Sequence, residues 1–412
     1  MKLDQMPQWA LPPADPEFIG PLLPEPHPNC QATKALAMLI RGTDRLATAA
    51  QAELVFSDET CSRDPGCLWH GVTILLRTGE LESADAHVWR LERDRAGFAD
   101  HVALMRAEHA KHSGDLVGSR TALARLADTA SPSCLRDLAV PLYIEALVAV
   151  NEADLADQVL RRHDFGLLAR KWPAMRPLLL GVRGWLHLIT DRADEAYRDL
   201  RECSQLPVRD VAATYSVARR KGLLALTAAA AGKPDIAVTA AAHEYEFATA
   251  WRSHAQMAWG LYVLETIEDS DLPSARFRDA IDLLEFARSP VGIATVCYEQ
   301  GRRLVASGQH LEGKTQLLRA GKAARFIGDA TLTGKIEELL RELETPVQRT
   351  ALTAQELKIA ELAQDGYSNK QIATRLVLTV RTIEFHLSNV YRKLGIRGRR
   401  ALAGEVLPHR RT

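Results

Sequence analysis

From Gln31 to Glu344 the sequence keeps a single periodicity. Apolar residues, mostly alanine and leucine, recur at helical spacing, strand-like alternation is lacking, and brief polar turns break the runs. The joins are Thr78-Gly79-Glu80, Ser113-Gly114-Asp115, Asn151-Glu152-Ala153-Asp154, Asp191-Arg192-Ala193-Asp194, Gly232-Lys233-Pro234 and Ser307-Gly308-Gln309. The early joins recur roughly every 35 to 40 residues, the period of stacked helical hairpins. LWHGVTILLRTGELESADAHVWRLE shows one unit: a helix with a buried face, a glycine turn, then a second helix opening near Ser83. A lone hairpin of this kind cannot bury its apolar face, so neighbours must stack into a curved array with a concave side.

The units resemble tetratricopeptide repeats in degenerate form, with an irregular helical bundle as the alternative. The expected fold is therefore all-α, a tetratricopeptide-like helical-hairpin solenoid over 31–344 followed by a small helical domain. Residues 1–30 precede it as a proline-rich arm, with Pro7, Pro12, Pro13, Pro16, Pro21, Pro24, Pro26 and Pro28 forbidding helix and sheet. Pro346 stops the helix EELLRELE, which makes 345–350 a linker and 351–412 the final domain.

Composition narrows the function. No run approaches the roughly 20 apolar residues needed to cross a bilayer, and the N-terminus lacks the pattern of a secretory signal. Of six cysteines only Cys61 and Cys67 lie close together, as expected of a reduced, cytoplasmic chain rather than a disulfide framework. The formal net charge is zero but uneven: 351–412 carries 11 basic and 5 acidic residues, leaving 41 and 47 for the remainder. A basic tail on an acidic body attracts phosphate at one end and repels it at the other.

Several motifs are weighed and set aside. Gly308–Thr315 matches the phosphate-loop pattern G-x4-G-K-[ST], but the preceding residues read as an amphipathic helix where that loop requires a strand. Cys61, Cys67 and His70 fit no strong zinc spacing and want a fourth ligand. There is no H-E-x-x-H motif and no nucleophile elbow. Trp69, Trp89, Trp185 and Trp259 sit at helical spacing and are expected in the core. Neither an enzyme nor a cofactor is expected.

The stretch Leu352–Leu402 has fuller punctuation. Thr353 with Glu356 and Ser368 with Gln371 form capping boxes, Gly366 and Gly395 stand where short helices end, and Thr379 is an N-cap. In the third helix Ile383, Leu387, Val390 and Leu394 make a buried stripe, so Arg381, Glu384, Phe385, Ser388, Asn389 and Arg392 face outward. Such a helix suits a DNA major groove: Glu384 accepts from cytosine N4, Phe385 presses on a thymine methyl, and Ser388 and Asn389 reach base edges. Arg381, Arg392 and Lys393 are expected on phosphates, with Ser368, Asn369 and Lys370 at the start of the second helix.

These residues resemble the DNA-binding domain of the LuxR family of bacterial transcription regulators. The resemblance rests on Leu352-Thr353, Glu356, Gly366-Tyr367-Ser368-Asn369-Lys370, Ile372-Ala373, Leu376, Arg381-Thr382-Ile383-Glu384, His386-Leu387, Lys393-Leu394-Gly395 and Arg399, with Thr379 in place of the usual serine cap. It implies a four-helix helix-turn-helix whose third helix reads DNA through Arg381, Thr382, Glu384, Phe385 and Ser388. Its fourth helix, here Arg399 to Val406, pairs two copies. The array ahead of such a domain is similar to the C-terminal half of the large ATP-binding LuxR regulators, whose ATPase half has no counterpart here. The expected protein is a homodimeric regulator of a promoter with two half-sites, an activator and as such a partner of RNA polymerase, whose array receives a protein, a peptide or its own copy. The alternatives are a protein-interaction scaffold and a nucleotide-responsive regulator using Gly308–Thr315.

Overall fold

The computed structural model describes residues 30–42, 44–94, 98–128, 133–206, 211–268, 275–344, 352–376, 378–394, 396 and 398–402. The proline-rich arm, apart from Cys30, and the linker lie outside them. Among the described residues every regular element is a helix. The array opens with α1 (Gln31–Arg41), α2 (Arg45–Ser57), α3 (Pro65–Thr78) and α4 (Leu81–Asp94), the short 3-10 turn Cys61–Arg63 lying between α2 and α3. It continues through α5 (Ala99–Ser113), α6 (Leu116–Asp128), α7 (Ser133–Ala149), α8 (Ala153–Arg162) and the short α9 (Phe165–Lys171). Then come α10 (Arg176–Ile189), α11 (Ala193–Gln205), α12 (Val211–Ala230), α13 (Pro234–Trp251) and α14 (His254–Glu268). It closes with α15 (Ala275–Phe286), α16 (Pro290–Ala306), α17 (His310–Ile327) and α18 (Ala330–Glu344).

All six expected joins are hairpin turns, and each helix packs first on its sequence neighbour, as a stacked array requires. Two kinds of residue make the turns. Glycines take the left-handed conformation at Gly79 (φ 85°) and Gly114 (φ 91°), while Asn151, Asp191, Arg252 and Arg288 take it with a side chain.

The array also folds back on itself. Leu116 and Val150, at turns of the first half, share one core with Ala258, Phe277, Ile281, Leu317 and Ile327 of the last third. Asn151 Nδ2 donates to Asp329 Oδ2 across 2.6 Å, joining positions 178 residues apart. A Cβ on Gly114 would run into Pro290, and one on Gly328 into Val117, so backbone approaches side chain closely on both sides of this seam.

The structure corrects the expectation that all four tryptophans lie in the core. Trp69 is fully buried in the core, but Trp89 is 53% exposed, with the Arg93 guanidinium over its ring. The phosphate-loop match also dissolves. α16 ends at Ala306, Gly308 (φ 84°) turns the chain, and α17 is already helical at His310, with Gly313 packed on Val305. No strand delivers that turn, and the backbone N–H groups that would wrap a phosphate belong to a helix.

Candidate nucleic-acid interface

The C-terminal domain is built from α19 (Ala354–Gln364), α20 (Asn369–Leu376), α21 (Val380–Leu394) and the short α22 (Arg399–Leu402). Its own core gathers Ile359, Ala360, Ala363, Ile372, Ala373, Ile383, Leu387, Val390 and Leu402. The stripe Ile383–Leu387–Val390 is thus the buried side of α21, and it fixes which side faces out.

Local chemistry sets each helix start. Thr353 and Glu356 form a complete capping box on α19. On α20, Ser368 N donates to Gln371 Oε1 at 2.8 Å and Gln371 N donates to Ser368 Oγ at 3.4 Å. On α21, Thr382 N donates to Thr379 Oγ1 at 3.1 Å, the capping role expected of Thr379. Gly366, at φ 90°, turns the chain after α19. Arg399 then straps the domain, donating to Asn369 Oδ1 and to the carbonyls of Ala363 and Tyr367.

The predicted DNA-facing residues fall into three sets. Arg381, Glu384, Phe385 and Ser388 are exposed on one side of α21, with Thr382 and Asn389 half-buried beside them. Phe385 is 64% exposed, an apolar ring standing in solvent on a basic domain. Ser368 and Lys370 are exposed at the start of α20, while the Asn369 side-chain oxygen is held by Arg399. The side chain of Arg392 is outside the described positions.

Lys393 departs from expectation. It is buried, and its Nζ lies 2.6 Å from Glu356 Oε2. Burial acts to raise the Glu356 carboxyl, but the Lys393 ammonium and the hydrogen bonds from Thr353 outweigh it and hold it below the usual carboxylate range. Lys393 therefore locks α21 onto the first turn of α19 and leaves the phosphate-facing set. Arg375, which sequence reasoning passed over, is exposed on α20 with its guanidinium 5.1 Å from the centre of the Tyr367 ring.

One cavity adjoins this machinery and a second lies within the array. The first, of about 600 Å³, is bounded by Gly308–Glu312, Lys314 and Leu343 of the array and by Phe385, Asn389 and Lys393 of the C-terminal domain. The other, of about 470 Å³, lies inside the array where turns of early hairpins meet turns of late ones. Arg45, Arg77, Lys111, His112, Arg252 and Arg288 contribute to its wall, with Trp185 and Phe286 as apolar surface. In this wall Lys111 bridges Glu108 (2.6 Å) and Glu145 (2.9 Å), and Arg45 pairs with Glu80 at 3.3 Å, so much of the basic charge is met within the array. Residues of this wall are far apart in sequence, and the left-handed turns at Arg252 and Arg288 have no glycine, asparagine or aspartate to announce them, so sequence alone missed it.

Residues 350–406 match the family described as bacterial regulatory proteins, luxR family. The C-terminal domain is thus a LuxR-family helix-turn-helix, and the chain carries the DNA-binding unit of a transcription regulator. Among solved structures, the chain is similar to the crystal structure of Rap protein complexed with competence and sporulation factor. That similarity has a TM-score of 0.48 and 12% identity, covering 82% of this chain and 99% of the other.

Proposed function

We propose that the LuxR-type domain reads a promoter with two half-sites, and that the protein works as a homodimeric, array-controlled transcription activator contacting RNA polymerase. One observation carries the reading: α21 buries Ile383, Leu387 and Val390 and turns Arg381, Glu384, Phe385 and Ser388 to solvent on a basic domain. A helix so arranged enters the major groove, about 12 Å wide, with polar and apolar groups matched to base edges. Lys370, Arg381 and Arg392 are the proposed phosphate contacts, with Ser368 and Asn369 beside them, and these contacts set register without carrying sequence information.

Control follows from the cavity shared by α21 and the turn before α17. This cavity, of about 600 Å³, sets Phe385 and Asn389 beside the turn before α17. This supports a closed state in which the reading helix fronts the array and must swing away to meet DNA. The array's cavity, which sets basic and acidic side chains beside two aromatic surfaces, is our proposed receiver of the controlling ligand, a peptide or protein edge.

The test is selection from fragmented genomic DNA with the purified full-length chain. Recovery of a shared dyad motif supports the reading. Recovery of fragments with no common motif overturns it and favours the helical-repeat scaffold.

A further inference from the structure

Three cysteines that the sequence scatters over 38 positions converge at the start of the array. Cys30 is the N-cap of α1, Cys61 opens the 3-10 turn Cys61–Arg63, and Cys67 sits in the first turn of α3. Their sulfurs all lie within 4.8 Å of one another, and Cys30 Sγ is 3.8 Å from Cys67 Sγ. We propose that Cys30, Cys61 and Cys67 form a three-thiolate site for one thiophilic metal ion, with zinc(II) as the representative, leaving a fourth coordination position open.

The geometry suits coordination. Zinc–sulfur bonds of about 2.3 Å in a tetrahedral arrangement place neighbouring sulfurs about 3.8 Å apart. The Cys30–Cys67 separation already has that value. Helical periodicity does not produce this cluster, because the three residues come from three separate elements. His70, the histidine nearest in sequence, is not in the group: its Nδ1 is engaged with the Gly66 carbonyl at 2.8 Å. Cys30 takes the place that sequence spacing would have offered to His70.

All three cysteines are buried, in a small apolar cluster with Ala32, Val55 and Phe56. Each lies at the opening of a helical segment, where backbone N–H groups carry partial positive charge; Thr33 N donates to Cys30 Sγ at 3.5 Å. Metal binding would convert the three thiols to ligating thiolates, with their protons passing to solvent. Among the described residues no fourth side chain joins the group, and the fourth position of a tetrahedral zinc is left to a further ligand. Bound metal would pin the start of α1 to α3 and so stiffen the first hairpin of the array.

The test uses the full-length, fully reduced protein, with zinc(II) titrated against a chromophoric chelator and cobalt(II) as a spectroscopic probe. The expected result is one equivalent per chain, sulfur-to-cobalt charge-transfer bands, and a raised melting temperature. Cys30→Ser keeps a good N-cap residue while removing a thiolate, so it should fold normally yet bind more than about 100-fold more weakly. Cys61→Ala and Cys67→Ala should do the same, whereas Cys203→Ala, a buried cysteine whose sulfur faces the Pro177 carbonyl, should bind as the parent does. Failure of the reduced protein to take up metal, uptake that survives Cys30→Ser, or a Cys30–Cys67 disulfide forming in place of metal binding would each overturn the proposal.

Discussion

Lys393 crosses the C-terminal domain to Glu356, Nζ to Oε2 at 2.6 Å, and both side chains are buried. The pair ties the DNA-reading helix to the capped start of α19. Removing one partner leaves an uncompensated buried charge, which costs about 3–5 kcal/mol. Lys393→Met and Glu356→Gln should therefore unfold the C-terminal domain at lower temperature while the array melts as before, measured by calorimetry of the full chain.

The same pair sets an acid limit. Because the Glu356 carboxyl is held below its ordinary value in the fold, its contribution is fully present above the unfolded value, about 4.3, and is lost as pH falls through the folded value. Unfolding of the C-terminal domain followed from neutral to acid pH should show this loss, and Glu356→Gln should flatten that part of the profile. An unchanged profile in the variant would place the acid sensitivity elsewhere.

Base reading and phosphate clamping should separate by mutation. Glu384→Gln should change the preferred base at one position, shifting discrimination there by about 1–3 kcal/mol. Lys370→Ala should weaken all sequences alike and lower the salt slope by about one. Lys393→Met should leave the slope of the folded fraction unchanged, since its ammonium faces Glu356. Binding assays at several salt concentrations distinguish the three behaviours.

The seam between the array's halves should be sensitive at Asn151. This residue holds a left-handed turn at φ 56° and donates to the buried Asp329, which also accepts from Leu332 N at the start of α18. Asn151→Ala should destabilise the array by about 2 kcal/mol through the lost charge-assisted bond and the strained turn. Urea unfolding monitored by tryptophan fluorescence measures it.

The closed arrangement predicts a movement. Spectroscopic labels at Glu312→Cys and Ser388→Cys should lie close in the free protein and move apart when a specific duplex binds. Labels that keep one distance in both states would show that the reading helix is already clear of the array.

What the sequence disclosed and what it hid divide along one line. Local signals held: the caps at Thr353, Ser368 and Thr379, the stripe Ile383–Leu387–Val390 and the six hairpin turns depend on residues within a few positions of each other. Relationships over long separations stayed hidden. A lysine in a basic run reads as solvated, and nothing near Lys393 announces that Glu356, 37 residues earlier, neutralises it. Cys30 joining Cys61 and Cys67, and the early turns meeting the late ones around the inner cavity, arise from how the hairpins stack.

The most direct test is the affinity of the full-length protein for a dyad fragment and for its scrambled counterpart, measured from low to physiological salt. Reading by α21 predicts at least about a 10³-fold preference for the dyad at physiological salt, with log affinity falling linearly with log salt for both fragments. It also predicts that Glu384→Gln erodes the preference more than the overall affinity. Equal binding of the two fragments at every salt concentration would contradict a sequence-reading role for this helix.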